Sequence, residues 1–362
     1  MPEALSSVLF LGDRSPYGLS VARAILDSPM PPCRVIVPSL STYAAYATHA
    51  TDSSVAGGSS HASQRAADGA RQILDVRLAA DVQGGEEIPP LMLDPGTTLE
   101  AFELACMDSG IRLQQVADVQ TAEFAESLRD AAPLFLAAAF PLQLPERLLE
   151  LPSIGAINFH PSLLPRCRGR NPIFWTLASG ETQGGVTAHY MTAEPDAGAI
   201  VAQLALPLTE EDDYRSLYRR AMSASPHLVA SVAAFLLAGG GGGIAQDPDR
   251  ATSFPQDTEE DHRVHWAGRS PREVVALART GEAFTYARGE RLGILKAAEV
   301  HTVARERRHA APGCLLAIND DALVVEASGG AVALRSLAWR GRRHGGGDLA
   351  RALGLKRNEV LG

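Results

Sequence analysis

Three polar side chains stand at the ends of two short apolar segments near the middle of the chain. Asn158 and His160 close the segment that begins at Gly155, and Asp196 follows the segment Gly185–Tyr190. Residues two apart on a strand point to the same face, so the Asn158 amide and the His160 imidazole are predicted to lie together. The two prolines that follow His160 stop the strand and leave both groups on a turn. Because the carboxyl ends of strands bind ligands in an open α/β sheet, the pattern indicates a ligand site.

These residues belong to an ordered set of short motifs between residues 155 and 202. In order, the sequence contains N-x-H-P-S-L-L-P, R-G-x-x-P, G-V-T-x-H and D-x-G. A single Asn, His or Asp is more often structural, because such residues commonly make local backbone hydrogen bonds. The combination resembles the formyltransferase family that uses 10-formyltetrahydrofolate. Its members include methionyl-tRNA formyltransferase, glycinamide ribonucleotide formyltransferase and the sugar N-formyltransferases.

The resemblance implies catalytic roles for Asn158, His160 and Asp196. Moving a formyl group to an amine creates negative charge on the formyl oxygen, which an Asn amide and a protonated imidazole can stabilise. Asp196 can hold His160 in its charged form, or accept the proton that the amine loses, directly or through a water. The folate supplies an activated formyl group, so no metal and no covalent intermediate are expected.

The resemblance also implies a binding loop for the cofactor, 10-formyltetrahydrofolate. The segment after the predicted strand Leu134–Ala139 resembles the family's folate loop, so backbone atoms of Phe140, Pro141 and Leu142 are expected to contact the pterin. A core strand followed by a turn is equally compatible with these residue types.

Three arginines, Arg166, Arg168 and Arg170, alternate along the loop after His160. They fit a solvated loop, and they fit equally a site for the folate's glutamate tail or an acceptor phosphate, which guanidinium groups bind bidentately. Arg168 is assigned to the cofactor here.

The first predicted strand, Val8–Leu11, leads through a glycine-containing turn into a helix near Leu19–Ser28. Such a turn can bind a phosphate, but the G-x-G-x-x-G pattern is missing, which argues against a nicotinamide cofactor. In the family this loop faces the acceptor. The acceptor contacts that the resemblance implies are Asp13, Arg14 and Tyr17, although ordinary turn residues would look the same.

Segments with helical and strand patterns alternate over the first two thirds of the chain, which predicts crossovers and a parallel sheet. The predicted helices are Leu99–Gly110, Ala122–Ala131, Pro172–Ala178 and Tyr214–Leu237; further strands are Arg34–Pro38, Ile111–Val116 and Ala199–Leu206. Residues 1–238 are therefore interpreted as an α/β catalytic domain with a Rossmann-like, mostly parallel sheet. The segment Ser39–Ala67 lacks periodicity and is expected to be a flexible surface segment.

Five consecutive glycines, Gly239–Gly243, open a linker that we place at 239–261 and expect to be flexible. Residues 262–362 contain short strand-like units separated by turn residues, as in a small barrel. The resemblance points to the family's OB-like C-terminal domain. It thus covers both domains and is most specific at 155–202.

The composition is that of an ordinary globular protein, and the length is sufficient for two domains. The chain has 362 residues, 46% of them hydrophobic and 21% charged. Its amino terminus resembles neither a signal peptide nor a membrane span, so no membrane partner is expected. The four cysteines form no C-x-x-C pair, which favours reduced thiols and a cytoplasmic location.

The distribution of net charge along the chain favours one class of acceptor over another. From His262 to the end, 17 Lys and Arg oppose 10 Asp and Glu, a balance of +7; since the whole chain carries −9, residues 1–261 carry −16. Binding of tRNA would favour a continuous basic surface over the catalytic domain. The sequence therefore favours a small primary amine as acceptor, on an amino sugar nucleotide or an amino acid-like metabolite.

Other functions stay open. The basic run Arg335, Arg340, Arg342 and Arg343 keeps methionyl-tRNA as an alternative acceptor. A hydrolase that releases the formyl group from 10-formyltetrahydrofolate would use the same three groups. A binding protein with a decayed site is the remaining alternative, and the intact set of Asn158, His160 and Asp196 argues against it.

Overall fold

The computed structural model describes residues 8–13, 15–30, 32–38, 86–87, 104, 106–108, 110–300 and 310–362. The predicted surface segment Ser39–Ala67 and most of the predicted helix Leu99–Gly110 lie outside these residues.

Sixteen strands and eight α-helices have defined bounds within the described residues. The strands are β1 (Val8–Gly12), β2 (Pro32–Pro38), β3 (Glu86–Glu87), β4 (Arg112–Val116), β5 (Leu134–Ala138), β6 (Gly155–His160), β7 (Arg168–Gly169), β8 (Gln183–Tyr190), β9 (Ile200–Pro207), β10 (Ser253–Phe254), β11 (Phe284–Ala287), β12 (Glu290–Val300), β13 (Leu315–Ile318), β14 (Leu323–Ala327), β15 (Gly330–Trp339) and β16 (Arg342–His344). The helices are Pro16–Leu26, Ala122–Leu128, Glu146–Leu149, Pro172–Ala178, Tyr214–Leu237, Glu259–His262, Pro271–Ala278 and Gly346–Leu353.

The N-terminal sheet has seven strands in the order β4-β2-β1-β5-β6-β8-β9. The first five are parallel, whereas β8 runs antiparallel to β6 and to β9. Every residue of the central strands β1 and β5 is buried, as expected when both faces of a parallel sheet are covered. The predicted mostly parallel sheet is confirmed, and its carboxyl edge gathers the ends of β1, β5 and β6.

Helices Pro16–Leu26 and Tyr214–Leu237 cover one face of this sheet. By length and composition the second helix, with 24 residues and a mean hydropathy of 1.2, could cross a bilayer. Its apolar stripe, including Leu228 and Val232, is instead buried against the sheet, as in the core helix of a domain. A capping box between Asp213 and Ser216 sets its start.

The glycine run that follows this helix is fastened at two points. The Tyr190 hydroxyl donates to the carbonyl of Gly241 at 2.9 Å, and Ile200 and Ile244 exchange two backbone hydrogen bonds of 2.7 and 2.8 Å. The linker thus runs back along the start of β9, to which it is hydrogen-bonded, and a residue that follows contacts the site described below.

The C-terminal sheet is antiparallel, in the order β11-β12-β15-β14-β13, with β16 beside β15 and β3 beside β16. It curls around a core that includes Leu292, Leu323, Leu334 and Leu337, each without exposed surface. The prediction of a small β-rich C-terminal domain is confirmed. The sequence patterns missed β16 and the helix Gly346–Leu353.

Candidate active site

Asn158 and His160 lie at the carboxyl end of β6, in the middle of the sheet edge. Asn158 stands opposite Ala137 of β5 on one side and opposite His189 of β8 on the other. Its Nδ2 lies 3.4 Å from Oδ1 of Asp196 and 3.3 Å from Nε2 of His189. The amide of Asn158 is therefore directed at Asp196 and His189.

His160 is almost completely buried, with 5% of its surface exposed. Its Nε2 lies 2.9 Å from the carbonyl oxygen of Cys167, and its Nδ1 lies 3.7 Å from Oδ1 of Asp196. Because a carbonyl only accepts, the short contact requires the proton on Nε2. A second proton on Nδ1 would then face the carboxylate.

Asp196 is the point at which these contacts meet. Its Oδ2 accepts a 2.8 Å hydrogen bond from the backbone N–H of Gly169, and its Oδ1 faces His160 and His189. Burial opposes ionisation, but the charge of His160, the hydrogen bond and charge of His189 and the Gly169 N–H outweigh it, so the pKa of Asp196 lies far below its usual value. The side chain is an anion throughout the neutral range.

The structure thus brings the three predicted catalytic side chains together on the ends of neighbouring elements. Amide N–H and imidazole N–H groups face one partly buried carboxylate at the sheet edge where ligands bind. Such a set can stabilise negative charge on an oxygen and accept a proton from an attacking group. Among the described residues, no group of three His, Cys, Asp or Glu side chains is placed to hold a metal ion.

His189 is a further member of this cluster to which sequence reasoning gave no role. Its Nδ1 lies 2.9 Å from the carbonyl of Tyr190, and its Nε2 lies 3.3 Å from Oδ1 of Asp196. The motif G-V-T-x-H contained the signal, but a histidine within an apolar strand is also typical of a core position. Its pairing with Asn158 across β6 and β8 reveals the contact.

Gly169 supplies the N–H that fixes Asp196, and its own backbone requires glycine. It has φ +96°, and a Cβ there would lie 2.1 Å from the carbonyl oxygen of Phe254 in β10. We expect Gly169→Ala to separate β7 from β10, to cost on the order of 1–3 kcal/mol of stability and to lower activity about tenfold or more. Thermal unfolding and steady-state rates check both effects.

Gly289→Ala is the matched control for this substitution. Gly289 also has positive φ, +78°, but a Cβ there would meet nothing within 4 Å. Gly289→Ala therefore introduces backbone strain without a steric collision. Equal losses in the two variants would contradict the role given to the close approach of Gly169 to β10.

The predicted folate loop lies beside the cluster. Phe140, Pro141 and Leu142 follow β5, whose end pairs with β6 at Ala138 and Phe159, next to His160. All three are partly buried, and Phe140 and Leu142 pack on the core beneath the sheet. Their position at the ligand-binding edge suits the predicted role, and their contact with a folate stays a prediction.

Arg168 is not part of a solvated loop. Only 8% of its surface is exposed, and its guanidinium donates from Nε and Nη2 to Oε1 of Gln246 at 3.1 and 2.8 Å. Nη1 lies 3.5 Å from Glu194. Its predicted contact with the cofactor stays a prediction, whereas its contacts within the protein place it beside the Asp196 loop.

The predicted acceptor residues differ in how much surface they offer. Asp13, at the carboxyl end of β1, is 9% exposed and accepts hydrogen bonds from the backbone N–H and hydroxyl of Ser15. Tyr17 is 2% exposed and packs in the core, which leaves its side chain little surface for an acceptor. Arg14 lies outside the described residues. Their contacts with an acceptor stay predictions.

Asp13 makes stability depend on pH. Burial raises its pKa from 3.8 to about 7, against the lowering effect of the Ser15 hydrogen bonds. Between these values the folded protein holds a proton that the unfolded chain releases, so the free energy of unfolding falls as pH rises from about 4 to about 7.

Asp13→Asn keeps an acceptor oxygen for Ser15 but cannot ionise. We therefore expect it to raise the free energy of unfolding at pH 8 by on the order of 2 kcal/mol, with a smaller gain at pH 4. Chemical denaturation at both pH values measures the difference. An equal gain in the free energy of unfolding at pH 8 and pH 4 would contradict a raised pKa of Asp13 in the folded protein.

Comparison with known proteins agrees with this arrangement. The family model described as "Formyl transferase" matches residues 98–233, and that described as "Formyl transferase, C-terminal domain" matches residues 258–348. The methionyl-tRNA formyltransferase of Geobacter sulfurreducens is 32% identical over 275 residues, which cover 72% of this chain and 84% of the relative. That of Enterococcus faecalis is 34% identical over 211 residues, 57% of this chain and 66% of the relative.

Solved structures share the fold at low sequence identity. The N-formyltransferase from Helicobacter canadensis, in complex with folinic acid and dTDP-3-aminofucose, has a TM-score of 0.54 and 13% identity and covers 90% of this chain and 98% of its own. The sugar 3N-formyl transferase WlaRD has a TM-score of 0.53 and 12% identity, covering 91% and 97%. With matches in both of its sheets and 32% identity over most of a full-length relative, this chain belongs to the formyl transferase family, whose members are folate-dependent enzymes that transfer formyl groups.

Proposed function

We propose that this protein transfers the formyl group of 10-formyltetrahydrofolate to a primary amine. One observation carries the proposal: the amide of Asn158 and the imidazoles of His160 and His189 all face Oδ1 of the partly buried Asp196 carboxylate at the ligand-binding edge. Packing of a core does not demand this combination, since a buried charge and its partners are costly to desolvate.

Each side chain has one task in this proposal. Bound 10-formyltetrahydrofolate would supply an activated formyl group. The Asn158 amide and Nδ1–H of the charged His160 donate hydrogen bonds to the formyl oxygen as negative charge develops on it, since Nε2 of His160 already donates to the Cys167 carbonyl. Asp196 keeps His160 charged, or it accepts the proton that the attacking amine loses, directly or through a water. The loop Phe140–Leu142 would hold the pterin with backbone groups.

We rank methionyl-tRNA first among the acceptors. Relatives with this name are 32% identical over 77 and 84% of their length, whereas the sugar formyltransferases share only the fold, at 12 and 13% identity. The exposed Arg335 and Arg343 lie on β15 and β16 of the C-terminal domain, whose net charge is positive. Such a surface suits an RNA backbone.

An amino sugar nucleotide or an amino acid-like metabolite remains the second candidate. The observation in its favour is the charge of residues 1–261, −16, which repels a polyanion from the domain that contains the site. Arg340, moreover, is already engaged by Glu290 at 2.9 Å.

The test compares acceptors directly. The protein is incubated with 10-formyltetrahydrofolate and, in parallel, with methionyl-tRNA, uncharged tRNA or a nucleotide-linked amino sugar, and tetrahydrofolate release is followed. We expect release with methionyl-tRNA and none with uncharged tRNA, which has no aminoacyl amine. Release with the amino sugar alone would reverse the ranking, and equal release in water would indicate the hydrolase. No release under any condition would overturn the proposed function.

A cytoplasmic location is part of the same proposal. Among the described residues, Cys167 and Cys314 are buried thiols that form no disulfide, as is usual in a reducing compartment.

A further inference from the structure

The Asp196 loop is held by an amide from the segment that joins the two domains. Nε2 of Gln246 donates to the carbonyl oxygens of Asp196 and Gly198, at 2.7 and 2.8 Å. Its Oε1 accepts from Nε and Nη2 of Arg168 at 3.1 and 2.8 Å. Both hydrogens and the oxygen of one amide are thereby used, and its orientation is unambiguous because arginine only donates and carbonyls only accept.

Asp196 needs such support because its backbone is in an unfavourable conformation. Its φ is +55°, in the left-handed region that residues other than glycine seldom adopt. A strained residue persists where its surroundings fix it. Here the two carbonyls at and just beyond the strained residue are bound by a single side chain.

The contacts form a closed ring around the carboxylate. Arg168 binds Gln246, Gln246 binds the backbone of Asp196, and Oδ2 of Asp196 binds the N–H of Gly169, the residue that follows Arg168. Asp196 is thus fixed from both its backbone and its side chain. Replacing Gln246 removes the hydrogen bonds to the backbone of the Asp196 loop without substituting any residue of the cluster itself.

We infer that Gln246 is a positioning residue, which holds the Asp196 loop so that its carboxylate faces His160 and Asn158. The inference rests on the proposed function for its catalytic consequence, but its structural consequence can be measured without any substrate. It also gives the inter-domain segment a role in the site, since the paired Ile200 and Ile244 bring Gln246 to the loop.

Two variants of Gln246 test this role. Gln246→Met keeps the length of the side chain and removes all four hydrogen bonds, whereas Gln246→Glu keeps an acceptor for Arg168 and loses only the two donors to the loop. We expect kcat to fall by on the order of ten- to a hundredfold in both, because displacement of a catalytic group by about an ångström is that costly. The KM for the folate should change by less than about threefold in Gln246→Glu, because this variant keeps the acceptor for Arg168.

A matched control comes from the same segment. Gln256 donates to Oδ1 of Asp257 at 2.8 Å and does not contact the Asp196 loop. Gln256→Met therefore removes a partly buried amide of the linker without touching the site. We expect it to keep kcat within about twofold of the unchanged protein.

The readout that a merely structural role would not move is the NMR signal of the His160 ring nitrogens in the substrate-free protein, recorded at one fixed pH. Asp196 and His189 lie beside this imidazole. If the carboxylate moves away in Gln246→Met and Gln246→Glu, Nδ1 of His160 loses the neighbour that it faces and its resonance shifts, while Gln256→Met leaves it unchanged.

The outcomes separate the two proposals. A shifted His160 resonance without formyl transfer to any acceptor would retain the positioning role and reject the proposed function. An unshifted resonance with kcat within about threefold of the unchanged protein would overturn the positioning role. Failure of both variants to fold would overturn it as well, because Gln246 would then serve the fold and not the geometry of the site.

Discussion

Asp196→Asn is expected to lower kcat by on the order of a thousandfold while leaving the fold intact. The substitution keeps the shape of the side chain and removes the charge that faces His160 and His189. An amide cannot accept the proton of an attacking amine, and it no longer favours the charged imidazole. The contacts that hold the pKa of Asp196 low also stabilise the folded protein, so the amide should lower the free energy of unfolding while the fold persists.

Rates at saturating substrates, together with thermal unfolding, measure this effect. Asp249→Asn is the matched control, because Asp249 is an exposed carboxylate in the inter-domain segment. It should have near-normal kcat. An Asp196→Asn enzyme that works within about tenfold of the unchanged protein would show that the proton is accepted elsewhere.

Asn158→Ala is expected to lower kcat by about a hundredfold or more, the cost of losing one donor to a developing oxyanion. The amide lies within 3.4 Å of Oδ1 of Asp196 and next to His160 on the same strand. Alanine fits the extended backbone of β6, so the free energy of unfolding should change far less than the rate. Steady-state kinetics and denaturation on the same samples separate the two quantities.

The control for this substitution is Asn319→Ala, which truncates an exposed asparagine in the C-terminal domain. It should leave kcat unchanged. If Asn158→Ala lost stability in proportion to its activity, the amide would be serving the sheet and not the transition state.

Part of the site followed from sequence periodicity alone. Asn158 and His160 are two residues apart on a strand that prolines terminate, which predicts a shared face at the sheet edge. The meeting of Asp196 with them is not a local property. It depends on the antiparallel pairing of β8 with β6 and on a strained loop after β8, so only the resemblance to a family could supply it.

Other members of the site could not be found in the sequence. His189 alternates with apolar neighbours in a strand, a pattern that also describes a core residue. Gln246 is separated from Asp196 by 50 positions and stands just after a glycine run that carries no periodic signal. Its contact exists only because the linker returns along β9.

In the fold as well, elements with local sequence signals were predicted, whereas an element that depends on tertiary packing was missed. The helices Pro172–Ala178 and Tyr214–Leu237 were predicted with their bounds, the second from apolar residues at helical spacing. In the structure Pro172 lies in the first turn of one and Asp213 caps the other. The helix Gly346–Leu353 was missed because its first residues are glycines. A Cβ on Gly346 would lie 2.3 Å from the backbone carbonyl carbon of Ala322, so close packing, which sequence patterns do not report, explains the residue.

The most direct test follows the formyl group itself. The protein is given 10-formyltetrahydrofolate labelled with ¹³C in the formyl group, together with methionyl-tRNA or a nucleotide-linked amino sugar, and the product is examined by mass spectrometry. The cluster around Asp196 predicts a labelled formamide on one of these amines with the unchanged protein and with Asp249→Asn, and almost none with Asp196→Asn. Labelled formamide formed by Asp196→Asn at the normal rate, or label recovered only as free formate, would contradict it.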